Sequence, residues 1–146
     1  MRPFRLHTVL NYRKSLENRA RERLTRAREE AEQLRQEINQ RESLLQQICR
    51  EFEAKKGQGT DVGQIMVYRN HQLRLRNEIA GIRRDLQAAE DRAARREREL
   101  IRASRDRKLL EKLKERQDQR YVQYLEEKEK KELDEIAVLY YGRKKI

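Results

Sequence analysis

The feature that most constrains this chain is a long alternation of three- and four-residue steps between mostly apolar residues. In the second half of the sequence the alternation is unbroken. Its positions are Ile65, Tyr68, Gln72, Leu75, Ile79, Ile82, Leu86, Ala89, Ala93, Arg96, Leu100, Ala103, Arg107, Leu110, Lys114, Gln117, Tyr121 and Tyr124. This period keeps one narrow helix face apolar over many turns, which is typical of a coiled coil. Disorder, the other interpretation of so polar a composition, would not maintain it.

The first part of the chain carries a second seam, in which only Arg13 and Arg41 are not apolar. Its positions are Leu6, Val9, Arg13, Leu16, Ala20, Leu24, Ala27, Ala31, Leu34, Ile38, Arg41, Leu45, Ile48 and Phe52. One additional four-residue step near Ala20 predicts a stutter, which would relax a left-handed supercoil locally.

One break separates the two seams. The stretch from Gly57 to Gly63 holds three of the five glycines, and Asp61 followed by Gln64 resembles a helix capping box. We therefore predict an all-α fold, a long antiparallel two-helix coiled-coil hairpin with unequal arms, forming a single domain over residues 1–146. The predicted segments are helix one at about 5–55, a loop at about 57–61 and helix two at about 62–141.

The unequal arms predict an uncovered helix end. If the chain bends near Gly59, Phe52 faces Ile65, and Leu6 reaches only to about Glu111. Helix two then extends about 30 residues further, or ~45 Å. We predict a partner-binding surface on this extension, and its residues are Tyr121, Tyr124, Leu125, Leu133, Ile136 and Tyr140. The alternative is a tail that folds back or frays.

The charge of the chain predicts an acidic partner without identifying it. The formal net charge is +11, and hairpin pairing brings two arginine-rich stretches together. We call this set the basic belt: Arg19, Arg23, Arg26, Arg95, Arg96 and Arg102. An ordinary solvated coiled-coil surface explains each of these arginines equally well. Nucleic-acid binding is an alternative function, although no aromatic residues interleave with the arginines for base stacking. A salt titration against DNA or RNA separates the two interpretations.

The sequence offers no equipment for catalysis. It has no glycine-rich phosphate loop, and its two histidines, His7 and His71, and one cysteine, Cys49, form no metal-ligand or nucleophile pattern. We predict a protein that is not an enzyme, with no cofactor, no metal and no small-molecule substrate. The lone cysteine and the short apolar runs are those expected of a cytoplasmic chain.

Two segments resemble one known family. Residues 3–14 read PFRLHTVLNYRK and residues 131–137 read KELDEIA. Both are similar to the corresponding ends of flagellar export proteins of the FliJ family, and the helix lengths also agree. The second segment is the more specific of the two. Few aromatic residues lie near the hairpin turn, with Phe52 and Tyr68 the main ones, and in this the chain departs from some members.

The resemblance implies a soluble component of the flagellar type III export apparatus. Such proteins are similar in shape to the central stalk of rotary ATPases, contact the export ATPase (FliI) and the export-gate protein (FlhA), and have been described as chaperones or chaperone escorts. It implies a location at the cytoplasmic face of the inner membrane, at the flagellar base. The stalk proteins of virulence type III secretion systems are the nearest alternative.

By analogy with the stalk, the extension would enter the ATPase ring and the loop end would point to the gate. The loop-end residues that this analogy assigns to the gate contact are Ile48, Phe52, Ile65 and Tyr68.

Overall fold

The computed structural model describes the backbone of residues 3–144 and the side chains of residues 6–142. It contains two helices, α1 (Pro3–Gly57) and α2 (Val62–Lys144), and no strand within the described residues. The helices pack against each other in opposite directions, and α2 is longer by far, with 83 residues against 55 in α1. The predicted all-α hairpin with unequal arms is confirmed. The N-terminal motif lies partly outside the described side chains, at Pro3, Phe4 and Arg5.

The turn between the helices is built by backbone geometry and one cap. Gly59 has a φ of 77°, a left-handed conformation that glycine adopts without steric penalty. The amide of Gln64 donates a 2.8 Å hydrogen bond to Oδ1 of Asp61, as the capping-box spacing predicts. Gly57 still belongs to α1, so the loop is shorter than the predicted one and comprises residues 58–61.

Contacts divide the chain into two units, residues 19–101 and residues 1–18 with 102–146. The first unit holds the main apolar core. Ile38, Ile79 and Ile82 are buried together, and the half-buried side chains packed on them are Leu34, Leu45 and Leu86. Leu75 is also buried. All seven are seam residues that the periodicity places between the helices, and the structure confirms that placement.

The register between the helices in this unit differs from the expected one. Phe52 faces Tyr68, with ring centroids 5.7 Å apart, rather than Ile65. On the same side Nε of Arg41 donates a hydrogen bond of 3.3 Å to Glu78. The difference is about one helical turn along α2. It arises because α1 continues through Gly57, which moves the centre of the turn toward α2.

In the second unit, residues 3–18 of α1 lie against α2 from residue 102 onward. Leu10 and Glu17 are buried there, whereas Val9 is exposed. The seam therefore passes through Leu10, Arg13, Glu17 and Ala20, which keeps the three-four alternation regular. The predicted stutter near Ala20 is wrong, because it came from assigning Leu16 to the seam in place of the charged Glu17.

The uncovered part of α2 is shorter than expected. Glu111, Lys114 and Gln117 are still half-buried, and Nζ of Lys114 lies 3.4 Å from Nδ1 of His7. Exposure becomes continuous from Gln119 to Gly142, the last residue whose side chain is described. The register shift and the start of α1 at Pro3 together explain the difference. Neither helix, over the residues described, has an apolar stretch of the length that crossing a membrane requires.

Candidate partner-binding surfaces

The extension of α2, residues 119–142, presents apolar side chains to solvent. All six residues predicted to bind a partner there are exposed, from Leu125 at 44% to Ile136 at 62%. Val122, Val138, Leu139 and Tyr141 are exposed beside them. Isolated exposed apolar residues are ordinary, whereas so many within one helix segment form an apolar surface of the kind that partner proteins cover.

These side chains form two groups along the extension. The first spans Tyr121 to Leu125, and the second spans Leu133 to Tyr141, in which the rings of Tyr140 and Tyr141 meet edge to face at 6.4 Å. Between them lies the charged segment EEKEKKE, residues 126–132. Aromatic and aliphatic groups placed in this way bury large areas when a partner covers them, and the charged segment keeps the two groups apart.

At the loop end, the predicted contact residues serve the hairpin itself. Ile48 and Phe52 are buried, and Ile65 and Tyr68 are half-buried. Nζ of Lys56 lies 4.8 Å from the centroid of the Phe52 ring, and Nζ of Lys55 lies 5.3 Å from that of Tyr68. These cation–π contacts lie against the aromatic pair, of which Phe52 is buried and Tyr68 is half-buried.

The exposed apolar residues near the turn are different ones, which the sequence interpretation missed. They are Val62, Met66, Val67 and Leu73. Met66 and Leu73 directly follow the seam residues Ile65 and Gln72, so they lie about 100° further around the helix. The available signal is an apolar residue one position beyond a seam residue. An interpretation based on the seam alone does not use that signal.

The basic belt is partly neutralised. In residues 19–101, Arg26 lies 4.0 Å from Glu22 and Arg96 lies 3.1 Å from Glu99. Arg19, Arg23 and Arg95 are exposed and form no ion pair within the described part of the chain. Arg102, in the other unit, is likewise exposed. Their neighbours Arg28 and Arg92 pair across the hairpin, and the partners are Glu97 and Glu30.

A polar layer replaces the apolar seam where residues 3–18 meet α2. Arg107 bonds the buried carboxylate of Glu17 through Nε, and its Nη1 lies 2.9 Å from Glu111. Hydrogen bonds to Glu17 and then to Glu111 raise the pKa of Arg107 above its ordinary value. Arginine is charged at physiological pH in any case, so the shift reflects the pairing with the two carboxylates and not a change of protonation state. Arg13 pairs with Asp106 at 3.5 Å in the same layer.

We expect this layer to fix how residues 3–18 align on α2. Replacing Glu17 alone, or Arg107 alone, by Leu leaves a charged group without its main partner and should lower the midpoint of thermal unfolding. The double variant, with Leu at both positions, should recover most of the loss, because a well-packed apolar pair often equals a buried ion pair. Circular dichroism during heating measures all three.

The matched control is the exposed cross-helix pair Arg28–Glu97, whose side chains are both more than half exposed. Arg28→Leu should change the unfolding free energy by less than about 1 kcal/mol. Equal effects of Arg28→Leu and Arg107→Leu would contradict an aligning role for the polar layer.

Comparison with known proteins places the chain in one family. The family described as Flagellar FliJ protein matches residues 1–145. Neither the curated proteins nor the solved structures gave a match. Within the described residues, no cluster of three or more His, Cys, Asp or Glu side chains is arranged to hold a metal ion. Because the family match covers residues 1–145, the chain belongs to the FliJ family, the non-enzymatic proteins of the flagellar type III export apparatus.

Proposed function

We propose that this protein links the export ATPase, a FliI-like ring, to the export gate, an FlhA-like membrane protein. The observation that carries the proposal is the extension of α2, which exposes two groups of apolar side chains to solvent. A helix with an unsatisfied apolar surface gains most when a second protein buries it. Membership of a flagellar export family supports a partner within that apparatus.

In this proposal the extension binds the ATPase. Its apolar groups provide the contact, centred on Tyr121 and Tyr124 in one group and on Leu133 and Ile136 in the other. Exposed basic residues that precede them, Arg116 and Arg120, favour approach to an acidic surface. Attraction of this kind is screened by salt, so ionic strength should slow association more than it speeds dissociation.

The loop end is proposed to approach the gate. Phe52 and Tyr68 stabilise the surface proposed for this contact, since they hold the ends of the helices together next to the turn. Val67, which directly precedes Tyr68, is exposed and free to touch a partner there. A partner at each end would let changes in the ATPase influence the gate.

Two further roles belong to the same proposal. The exposed apolar groups could also hold export chaperones, which is the basis for a chaperone-escort role. Contacts with both the ATPase and the gate would hold the protein at the cytoplasmic face of the inner membrane, at the flagellar base. The family match supports the flagellar assignment over a stalk protein of a virulence secretion system.

Co-purification of the full chain with a candidate export ATPase from the same genome tests the proposal. We expect a complex that survives physiological salt. The same preparation, titrated with duplex DNA, should lose affinity for DNA steeply as salt rises, as nonspecific phosphate binding does. DNA binding that persists at physiological salt, together with no retained ATPase, would replace the linking function by a nucleic-acid function.

A further inference from the structure

The first turns of α2 carry an exposed stripe beside the hairpin seam. Val62, Met66, Arg69, Leu73 and Arg76 follow one another in steps of four and three, the spacing of a single helix face. All five side chains are exposed. We call these five residues the loop-end stripe. Three aliphatic side chains and two arginines therefore share one side of the helix, with both arginines among the three residues further from the turn.

The arginines of the stripe lack acidic partners. Arg69 and Arg76, like the nearby Arg74, form no ion pair with any described residue. Further along α2 the situation changes, because Arg83 lies 2.6 Å from Glu42 and Arg92 lies 3.7 Å from Glu30. Pairing across the hairpin thus neutralises some arginines beyond the stripe, including Arg83 and Arg92, and none of those within it.

The surroundings of the stripe are also basic. Between residues 50 and 76 there are six Lys and Arg residues and three acidic ones, Glu51, Glu53 and Asp61. Asp61 is occupied as the helix cap, and Glu51 accepts a hydrogen bond from Gln47. The local charge therefore favours an anionic partner.

We propose that the loop-end stripe binds an anionic lipid surface. Aliphatic side chains beside arginines suit the boundary between headgroups and acyl chains, where the apolar groups enter and the guanidinium groups bind phosphate. The long arginine side chains reach the headgroups while their methylene stems stay beside the apolar layer.

Other anionic partners fit the stripe less well. A nucleic acid offers phosphates but no surface for Met66 and Leu73, and its bases stack on aromatic side chains. The aromatic residues near the turn, Phe52 and Tyr68, are packed together beneath Lys55 and Lys56. An acidic protein groove remains the competing partner, and the experiment below distinguishes it. The proposal does not depend on the ATPase or gate contacts.

Flotation of the full chain with vesicles tests the proposal. Vesicles of equal parts phosphatidylglycerol and phosphatidylcholine should bind the protein, whereas pure phosphatidylcholine vesicles should not. The double variant Arg69→Gln, Arg76→Gln should weaken binding roughly thirtyfold, from about fivefold per arginine. Its matched control is Arg98→Gln with Arg105→Gln, two exposed arginines at the same seven-residue spacing outside the stripe, which should bind as the original protein does.

A second pair tests the aliphatic part. Met66→Gln with Leu73→Gln should reduce vesicle binding by about tenfold or more, while Leu109→Gln with Leu113→Gln, exposed on α2 far from the turn, should not. Circular dichroism checks that each variant remains helical, and if one pair unfolds, the other still decides. Equal binding to both vesicle types, or stripe variants that bind like their controls, would overturn the proposal in favour of a protein partner.

Discussion

Replacing Tyr121 and Tyr124 together by Ala should abolish binding to the export ATPase while leaving the helical content nearly unchanged. Both rings are at least half exposed, so their removal takes nothing from the interior of the hairpin. Aromatic side chains dominate many interfaces because they bury large areas at low entropic cost. Loss of two such residues at one contact should cost about 4 kcal/mol or more of binding free energy. Pull-down and isothermal titration with the purified ATPase measure the effect.

Tyr12→Ala is the matched control for this experiment. Tyr12 lies on α1 and is exposed to the same degree as Tyr124, 60% against 59%. It should bind the ATPase normally. Leu133→Ala with Ile136→Ala tests the second apolar group of the extension in the same way. If these variants all retain the ATPase, and Val67→Gln at the exposed loop end removes it instead, the proposed orientation is reversed.

Leu75→Ala should destabilise the hairpin by roughly 2–4 kcal/mol. The Leu75 side chain is 4% exposed and lies in the interhelical seam, so truncation leaves a cavity that the two helices can only partly close. Urea unfolding followed by circular dichroism gives the free energy, provided that the transition is two-state.

Leu73→Ala provides the comparison within the same helix. The residue type and the change are identical, but Leu73 is 58% exposed. Its truncation should alter the free energy of unfolding by less than about 0.5 kcal/mol. Similar losses at both positions would show that the seam does not run where the structure has it.

The helical hairpin was predictable because its signals repeat. Each seam recurs over many turns, so a single polar substitution such as Arg41 does not obscure it. The break was equally clear, because only one stretch is rich in glycine and an Asp with cap spacing follows it. The register between the two helices is harder to predict, since it depends on the residue at which α1 ends. A glycine at position 57 predicts a turn, yet Gly57 lies in α1. Because α1 is longer than predicted, Phe52 faces Tyr68 rather than Ile65.

The placement of Glu17 could not be predicted from local pattern. The predicted seams include charged residues such as Arg13, but at this step the neighbouring Leu16 offers an apolar alternative to Glu17. The cross-helix contact with Arg107, distant in sequence, helps to offset the cost of burying Glu17. At the loop end, the sequence does not show which apolar residues are exposed. Ile48 and Phe52 are apolar residues near the turn, but they are buried against the other helix. Other apolar residues near the turn are exposed instead.

The α-helical backbone of α2 persists from Gln119 to Gly142 without cover from α1 in the described part of the chain. In the charged segment between the apolar groups, charge pairs within the helix itself stabilise the helical backbone. Glu126 and Glu127 each precede a lysine by four residues, Lys130 and Lys131, in the order that stabilises isolated helices. A partner therefore meets a surface that is already folded, and capture does not include the ordering penalty of a segment that folds on binding. Its dissociation should be a single step, because no unfolding intermediate of the segment has to form first.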